Sequence, residues 1–457
     1  MSKTKRKPAT TPAWLPWLLG GLALVVGFLG VYLWMGDPAP KLVGGAPAEI
    51  AASGVFQLEF PQPMQHKSVE AAFTAQPAVT GRFQWVGNML TFHASIPLKS
   101  GQTYTFTLDA NASTGFGRKL GRTLTWVRKV RAARVVVLGS QPSDGELWSY
   151  ALDGSGRTQL TQSSGKVVDY QVSVDGEWIA YATLNREGGT DLWVVDRDGK
   201  NAASALSCGA ESCFQPAWSP DGLQLAYTRQ PGLYLANSTG KEHIWVMNTK
   251  THQTSALFVD TQYAGTNSSW APDGNKLASY DATTGGLRVL NETSNQSVVL
   301  PTTIQQPGAW SPDGSSLAFL TEQTPTGSIV PVVSVSNANF DQQTIAGLFE
   351  KADASWEFSL PAWNPDGQWL VAGQRVVGQN TAKQLVLMRP DGSDAQVITH
   401  LPGSFHAAYS WDPGGEYLLY QRLDISTTSV PEILIWQRST GQTQRITANA
   451  GSPSWLP

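Results

Sequence analysis

The motif Trp-x-Pro-Asp-Gly is the feature that most limits how this chain can fold. It stands at Trp218-Ser219-Pro220-Asp221-Gly222, Trp270-Ala271-Pro272-Asp273-Gly274, Trp310-Ser311-Pro312-Asp313-Gly314 and Trp363-Asn364-Pro365-Asp366-Gly367. Looser copies occupy 411–415 and 172–176, and 453–457 repeats its opening. Each motif reads as a strand that ends in Trp and turns at once. Proline presets φ, aspartate bonds its own backbone, and glycine takes φ > 0 without steric cost. A second apolar strand follows. The copies lie 40 to 53 residues apart, a period suited to four-stranded units rather than to helical solenoids.

Two further strands can be counted in every unit. Third strands fall at Leu147-Trp148, Leu192-Trp193, Ile244-Trp245, 287–289, 332–335, 385–387 and 434–436, and fourth strands at 159–161, 205–206, 256–257, 298–300, 344–345, 397–399 and 445–447. Second strands begin with Val135–Leu138, which no Trp strand precedes. Residues 453–457 supply that missing first strand. The tally therefore predicts seven repeats closed by the last strand, with no open sheet edge between first and last.

Ahead of the repeats, Ala13–Met35 contains no charge. As a helix it would be about 34 Å long, enough to cross a bilayer. Trp14, Trp17, Tyr32 and Trp34 stand at its two ends, where aromatic rings favour the headgroup zone. Lys3, Lys5, Arg6 and Lys7 precede it, so positive-inside orientation places residues 1–12 in the cytoplasm and everything after 36 outside. A cleaved leader is the competing reading, but this apolar run is too long for one. Residues 36–48 read as a Pro/Gly-rich tether.

Between 49 and 130, runs of period two at 55–60, 82–85, 89–92, 104–108 and 124–127 predict a small β-sandwich. Phe60-Pro61-Gln62-Pro63-Met64, Ser68–Phe73, Leu90-Thr91-Phe92 and Pro97–Tyr104 resemble the bacterial Ig-like domain, which implies a spacer or adhesive module without chemistry. Seven basic residues from Arg118 to Arg134 have no acid among them. They are expected on the outward face of the last strand, with anionic lipid or wall polymer as the alternative contact.

From 134 to 457 the Trp-x-Pro-Asp-Gly repeats resemble those of the TolB-type, WD40-like (PD40) propeller family. The resemblance implies a fold, and by itself no function. The expected architecture is all-β: a seven-bladed β-propeller over 131–457, an Ig-like sandwich over 49–130, a tether over 36–48, a transmembrane helix over 13–35 and a basic tail over 1–12.

In such a repeat the Pro-Asp-Gly turns share one side with the short third-to-fourth turns, and the longer connections share the other. Binding residues gather on long loops held by a rigid scaffold. Tyr234, Tyr263, Trp356, Phe358, Phe405 and His406 are the candidate binding residues. Cys208 and Cys213, in one of these loops, are expected to form a disulfide outside the cytoplasm. The six histidines show no metal-binding spacing, and neither a Gly-x-Ser-x-Gly elbow nor a phosphate loop is present. No cofactor, metal or nucleic-acid partner is expected. The expected function is a membrane-anchored, extracytoplasmic binding or scaffold protein that recognises a protein or an envelope glycan. The alternative is a polysaccharide lyase or hydrolase of the kind that gathers funnel histidines, for which His243, His400 and His406 would have to converge.

Overall fold

The structure, a computed structural model, describes residues 37–43, 48–140, 144–232, 240–258, 263–323, 330–336, 346–347, 356–425 and 430–457. The expected span 13–35 lies outside them. Among the described residues no helix is long and apolar enough to cross a membrane. The chain forms two compact units: 56–92 and 104–128 with the residues before 49 in one, and 49–55, 93–103 and 129–457 in the other.

Two four-stranded sheets form over 41–130. One runs Lys41–Leu42, Val55–Glu59, Met89–Ala94, Gly81–Val86, and the other Glu49–Ile50, Leu124–Val130, Thr103–Leu108, Phe73–Gln76. Alternation of apolar and polar residues turns Phe56, Phe73, Phe92 and Phe106 inward. Their rings pack at 4.6 Å between Phe56 and Phe106 and 5.1 Å between Phe73 and Phe92. A short helix, His66–Ala72, buries only Val69.

The second unit is a succession of antiparallel four-strand repeats. Repeat 1 runs Ala450–Leu456, Arg134–Gly139, Leu147–Tyr150, Thr158–Gln159, so the last strand is its first. Trp455 pairs with Val135, and Ser454 with Val136. Repeats 2 and 3, over 167–206 and 212–256, are joined by one parallel bridge between Thr190 and Ser212. Repeats 4, 5 and 7 begin at Gly265, Ala309 and Ser404, and the first strand of repeat 6 is broken into Trp356–Phe358 and Ala362–Trp363.

Each repeat buries a face against the next. Leu160 and Val136 of repeat 1 pack on Ile179 and Tyr181 of repeat 2, and comparable cores join 2 to 3, 3 to 4, 4 to 5, 5 to 6 and 6 to 7. Leu419, Ile433 and Ile435 of repeat 7 then pack on Val135, Val137 and Trp455 of repeat 1.

The motif tryptophans do more than fill these cores. Each indole N–H donates to a carbonyl in the preceding repeat: Trp218 to Gln171 at 3.2 Å, Trp270 to Ala217 at 3.1 Å, Trp310 to Ser269 at 3.2 Å, Trp363 to Ala309 at 3.0 Å and Trp455 to Ser410 at 3.1 Å. The acceptor always comes from the residue just before the preceding repeat's own Trp, or before Val172 in repeat 2. Trp411 Nε1 is the exception, with no acceptor among the described residues.

The Pro-Asp-Gly turns close as the composition requires. The Gly222 N–H donates to the Ser219 carbonyl at 2.9 Å with φ at 69°, and the Ser219 hydroxyl donates to Asp221 at 2.6 Å.

Part of the basic cluster has a structural use. Arg131 is buried rather than outward-facing: its Nε donates to the Pro457 carbonyl at 2.8 Å, Nη2 reaches the Asp175 carbonyl at 2.5 Å, and Nη1 pairs with Glu177. Three acceptors meet a guanidinium that would be costly to bury unpaired. The cation therefore fixes the last strand against repeat 2.

Replacing Trp270 by Phe keeps most of the packing and removes the donor to the Ala217 carbonyl. Urea titration of W270F is expected to show a loss of about 1 kcal/mol from that bond. The same replacement at Trp411 is expected to cost distinctly less; equal losses would contradict the role given to the indole bonds.

Candidate functional site

The connections between second and third strands, and between one repeat and the next, lie on the side away from the Pro-Asp-Gly turns. Two features are built there.

The first is an exposed apolar group on repeat 7. The Ser404 N–H donates to Leu401, and the Ile425 N–H to Gly403, both at 2.9 Å. Phe405 stands opposite Leu423 in the ladder, which continues to Ser404 opposite Asp424. Residues directly opposite share a face, and i and i+2 share it along a strand. Phe405, Leu423 and Ile425 therefore lie on one face, with Leu401 at its edge. Leu401, Phe405 and Ile425 are 44%, 48% and 48% exposed.

The second is a cleft of about 590 Å³ between repeats 1 and 2, within the range of small-ligand sites. Tyr181 pairs with Trp193, and Thr183 with Asp191, so these four stand on one face as a floor, beside Leu160. Burial pushes the Tyr181 hydroxyl up to about 12, helped by the Glu146 charge, so it stays neutral.

A carboxylate holds each lip. Glu146, itself buried, accepts from the Thr161 hydroxyl at 2.6 Å and from the N–H groups of Ser163 and Gly165 at 2.7 and 2.8 Å, which shapes the turn carrying Gln162 and Ser163. Burial alone would raise its pKa, but these donors outweigh burial and hold it below the usual glutamate value. Asp191 accepts from the Cys208 N–H at 2.8 Å and Asn185 Nδ2 at 3.1 Å, and Asn185 Nδ2 also donates to the Gly209 carbonyl at 2.7 Å. A disulfide joins Cys208 to Cys213, with Cα atoms 6.2 Å apart, and closes the loop behind that lip.

The six sequence candidates are not alike in their surroundings. Tyr263 is buried, shares a 2.6 Å hydrogen bond with Ser279 and has its pKa pushed up to about 12 by burial. Phe358 is buried in the core between repeats 5 and 6. His406 is buried beside Tyr420 with Nδ1 3.2 Å from the Lys383 carbonyl, and burial lowers its pKa. Trp356 is half-buried against that same core. Phe405 is exposed, and Tyr234 lies outside the described residues. Among the described residues no group of three or more His, Cys, Asp and Glu is arranged to hold a metal.

Sequence reading passed over Leu401 and Ile425, although Leu-Pro-Gly ahead of the Phe405 strand was a visible turn signal. It also passed over the cleft. Its floor is a cross-strand pairing, and pairing is not written in local sequence.

The family described as TolB beta propeller domain matches residues 187–457, more than half of the chain, beginning later than the 134 expected from the repeats. Two relatives are both Tol-Pal system protein TolB. That of Dechloromonas aromatica is 28% identical over 216 residues, covering 43% of this chain and 48% of its own length. That of Nitrosomonas europaea is 33% identical over 153 residues, covering 28% and 36%. The chain thus spans less than half the length of these curated relatives. Among solved structures, a prolyl endopeptidase matches with a TM-score of 0.53 at 14% identity, over 78% of this chain and 49% of that one. TolB from Acinetobacter baumannii matches with a TM-score of 0.44 at 13% identity, over 86% of each chain.

Serine at both Cys208 and Cys213 is expected to lower unfolding free energy by about 2 kcal/mol, the loop-closure value for so short a ring, readable by urea titration. Glu146 has a depressed folded pKa, so its contribution is complete above the ordinary glutamate range and is lost as pH falls through the lower folded value. E146Q should therefore be less stable at pH 7 and lose less stability on acidification. Parallel pH–stability curves for the two proteins would contradict this.

Proposed function

We propose a function on one premise: this chain belongs to the TolB beta propeller domain family. On our reading it is an extracytoplasmic envelope protein, anchored by residues 13–35, that docks a protein partner on the long-loop side of a seven-bladed propeller. The seven repeats are its blades, the bond between the last strand and Val135 closes the ring, and the sheets over 41–130 act as an Ig-like spacer.

The observation that carries the reading is the group Leu401, Phe405, Leu423 and Ile425. Large apolar side chains exposed together at one place are characteristic of protein interfaces, where aromatic anchors carry much of the binding free energy. The relatives' name places them in the Tol-Pal system, which agrees with an envelope partner for this chain. On the same strands Leu418 and Tyr420 are buried against repeat 6 and Leu419 against repeat 1, whereas Leu401, Phe405 and Ile425 are exposed.

The test is site-specific photocrosslinking in living cells. A crosslinking residue at position 405 should give a discrete adduct that disappears with I425D in the same chain. The same residue at exposed Thr440, on the opposite side of repeat 7, should not give that adduct. Equal adducts at both positions, or none at 405, would refute the docking surface. The anchor is tested separately: protease added to intact spheroplasts should digest the propeller, and full protection would refute the orientation.

A further inference from the structure

We propose that an arm of the smaller unit, residues 110–121, sets its tip, Phe116, into the headgroup region of the membrane from which the chain emerges. The proposal rests on the reading of residues 13–35 as an anchor and adds a second, reversible contact beside it.

The arm is a hairpin between the strands Thr103–Leu108 and Leu124–Val130. The Gly121 N–H donates to the Ala110 carbonyl at 3.0 Å, Leu120 to Ala112 at 2.7 Å and Thr114 to Arg118 at 2.8 Å, and the Gly117 N–H closes the tip on Thr114 at 2.9 Å. Ala112, Thr114 and Leu120 are buried, so the arm is fixed to the sheets behind it. Gly115-Phe116-Gly117 is left at the tip. Gly117, with φ at 81°, has open space on its Cβ side, and Phe116 is 55% exposed.

One exposed Phe is ordinary on a protein surface, but this one has company. The Gly115 N–H donates to the Pro63 carbonyl at 2.8 Å, and the Phe60 N–H to the Asn88 carbonyl at 3.0 Å. These bonds bring the tip, the 60–63 run and the turn after Gly81–Val86 to one end of the unit. Pro61, Pro63, Val86 and Phe116 are all exposed there.

The path of the chain says what covers this end. The first charge after the uncharged run is Asp37, and Asp37 already belongs to this unit: its Oδ2 accepts from Arg122 Nη2 at 2.7 Å. Lys41 and Leu42 then pair with Glu59 and Leu58. With steps of about 3.8 Å per residue, a span that ends at Met35 puts Asp37 within about 8 Å of the headgroups. Arg122, the residue that follows the arm, comes with it. A protein partner for Phe116 would have to fit between the arm and that surface.

Charge permits the contact without driving it. Lys41, Lys67, Arg118, Lys119 and Arg122 stand at this end with Asp37, Glu59, Glu70 and Asp109, five cations against four acids. The apolar tip therefore carries the contact. A weak one suffices, because the anchor makes it intramolecular.

The test places one NBD-labelled cysteine in the full-length protein, F116C, the native cysteines being paired with each other. The protein is reconstituted into vesicles of phosphatidylcholine and phosphatidylglycerol. Lipid carrying a nitroxide just below the headgroup is expected to quench about half of the emission, as for a side chain seated at the headgroup boundary. Phe73 pairs with Leu108 and Gln76 with Thr105, so the 77–80 connection leaves from the end opposite the arm. The same label in T80C, at an exposed residue of that connection, is expected to keep its emission. Equal quenching at the two positions, or none at 116, in protein that stays with the vesicles through alkaline carbonate would overturn this proposal and leave the anchor standing. Release of the protein by carbonate would refute the anchor and this contact together.

Discussion

At five of the seven junctions of the larger unit, packing is fixed by a hydrogen bond between a motif indole and the backbone one repeat earlier. A sheet with apolar residues on both faces must be covered on both, and neighbouring repeats can do that at many relative offsets. The indole bond selects one. Because the acceptor is the carbonyl just before the preceding Trp, each tryptophan is positioned by the strand that carries the last one. A single such bond contributes only about 1 kcal/mol, but an unpaired indole N–H inside the core would cost more than that, so offset packings are disfavoured at the five junctions that carry the bond.

The strands carrying these tryptophans are also bent. In repeats 3, 4, 7 and 1 the ladder shifts register just ahead of the Trp, and the residue three before it has φ above zero: Gln215 at 51°, Asn267 at 55°, Ala408 at 47° and Ser452 at 47°. A bulge of this kind frees an amide from the ladder. Here it is used between repeats. The Gln215 N–H donates to Asp169 at 3.0 Å, Asn267 to the Gln215 side chain at 3.1 Å and Ser452 to the Gln421 side chain at 3.1 Å. Indole bonds and bulge bonds together place most of these contacts between repeats on first strands. The long-loop side is left to present Phe405 with its neighbours, and the cleft above Tyr181 and Trp193.

Much of this was readable in advance, for reasons that differ by element. The hairpins and the closing role of 453–457 follow from strong local chemistry, a Trp strand and a Pro-Asp-Gly turn, repeated often enough to be counted. The bulges did not show, because Gln, Asn, Ala and Ser stand where a glycine would have signalled positive φ. The helix His66–Ala72 did not show either, since one buried residue in seven makes no period. Burial of Tyr263, Phe358 and His406 was missed for a third reason: an aromatic residue in or beside a long connection looks alike in sequence whether it faces water or folds onto the repeat beneath. Arg131 was read as part of an outward basic run, yet its partners Asp175, Glu177 and Pro457 are distant in sequence, and only the closed fold brings them to it.

Closure is the claim on which the others rest, and hydrogen–deuterium exchange of the full-length protein measures it directly. Amides of Ala450–Leu456 should be as strongly protected as those of Arg134–Gly139, and the two strands should lose protection together when Arg131 is replaced by alanine. Exchange of 450–456 at the rate of unfolded chain, while 134–139 remains protected, would contradict the account.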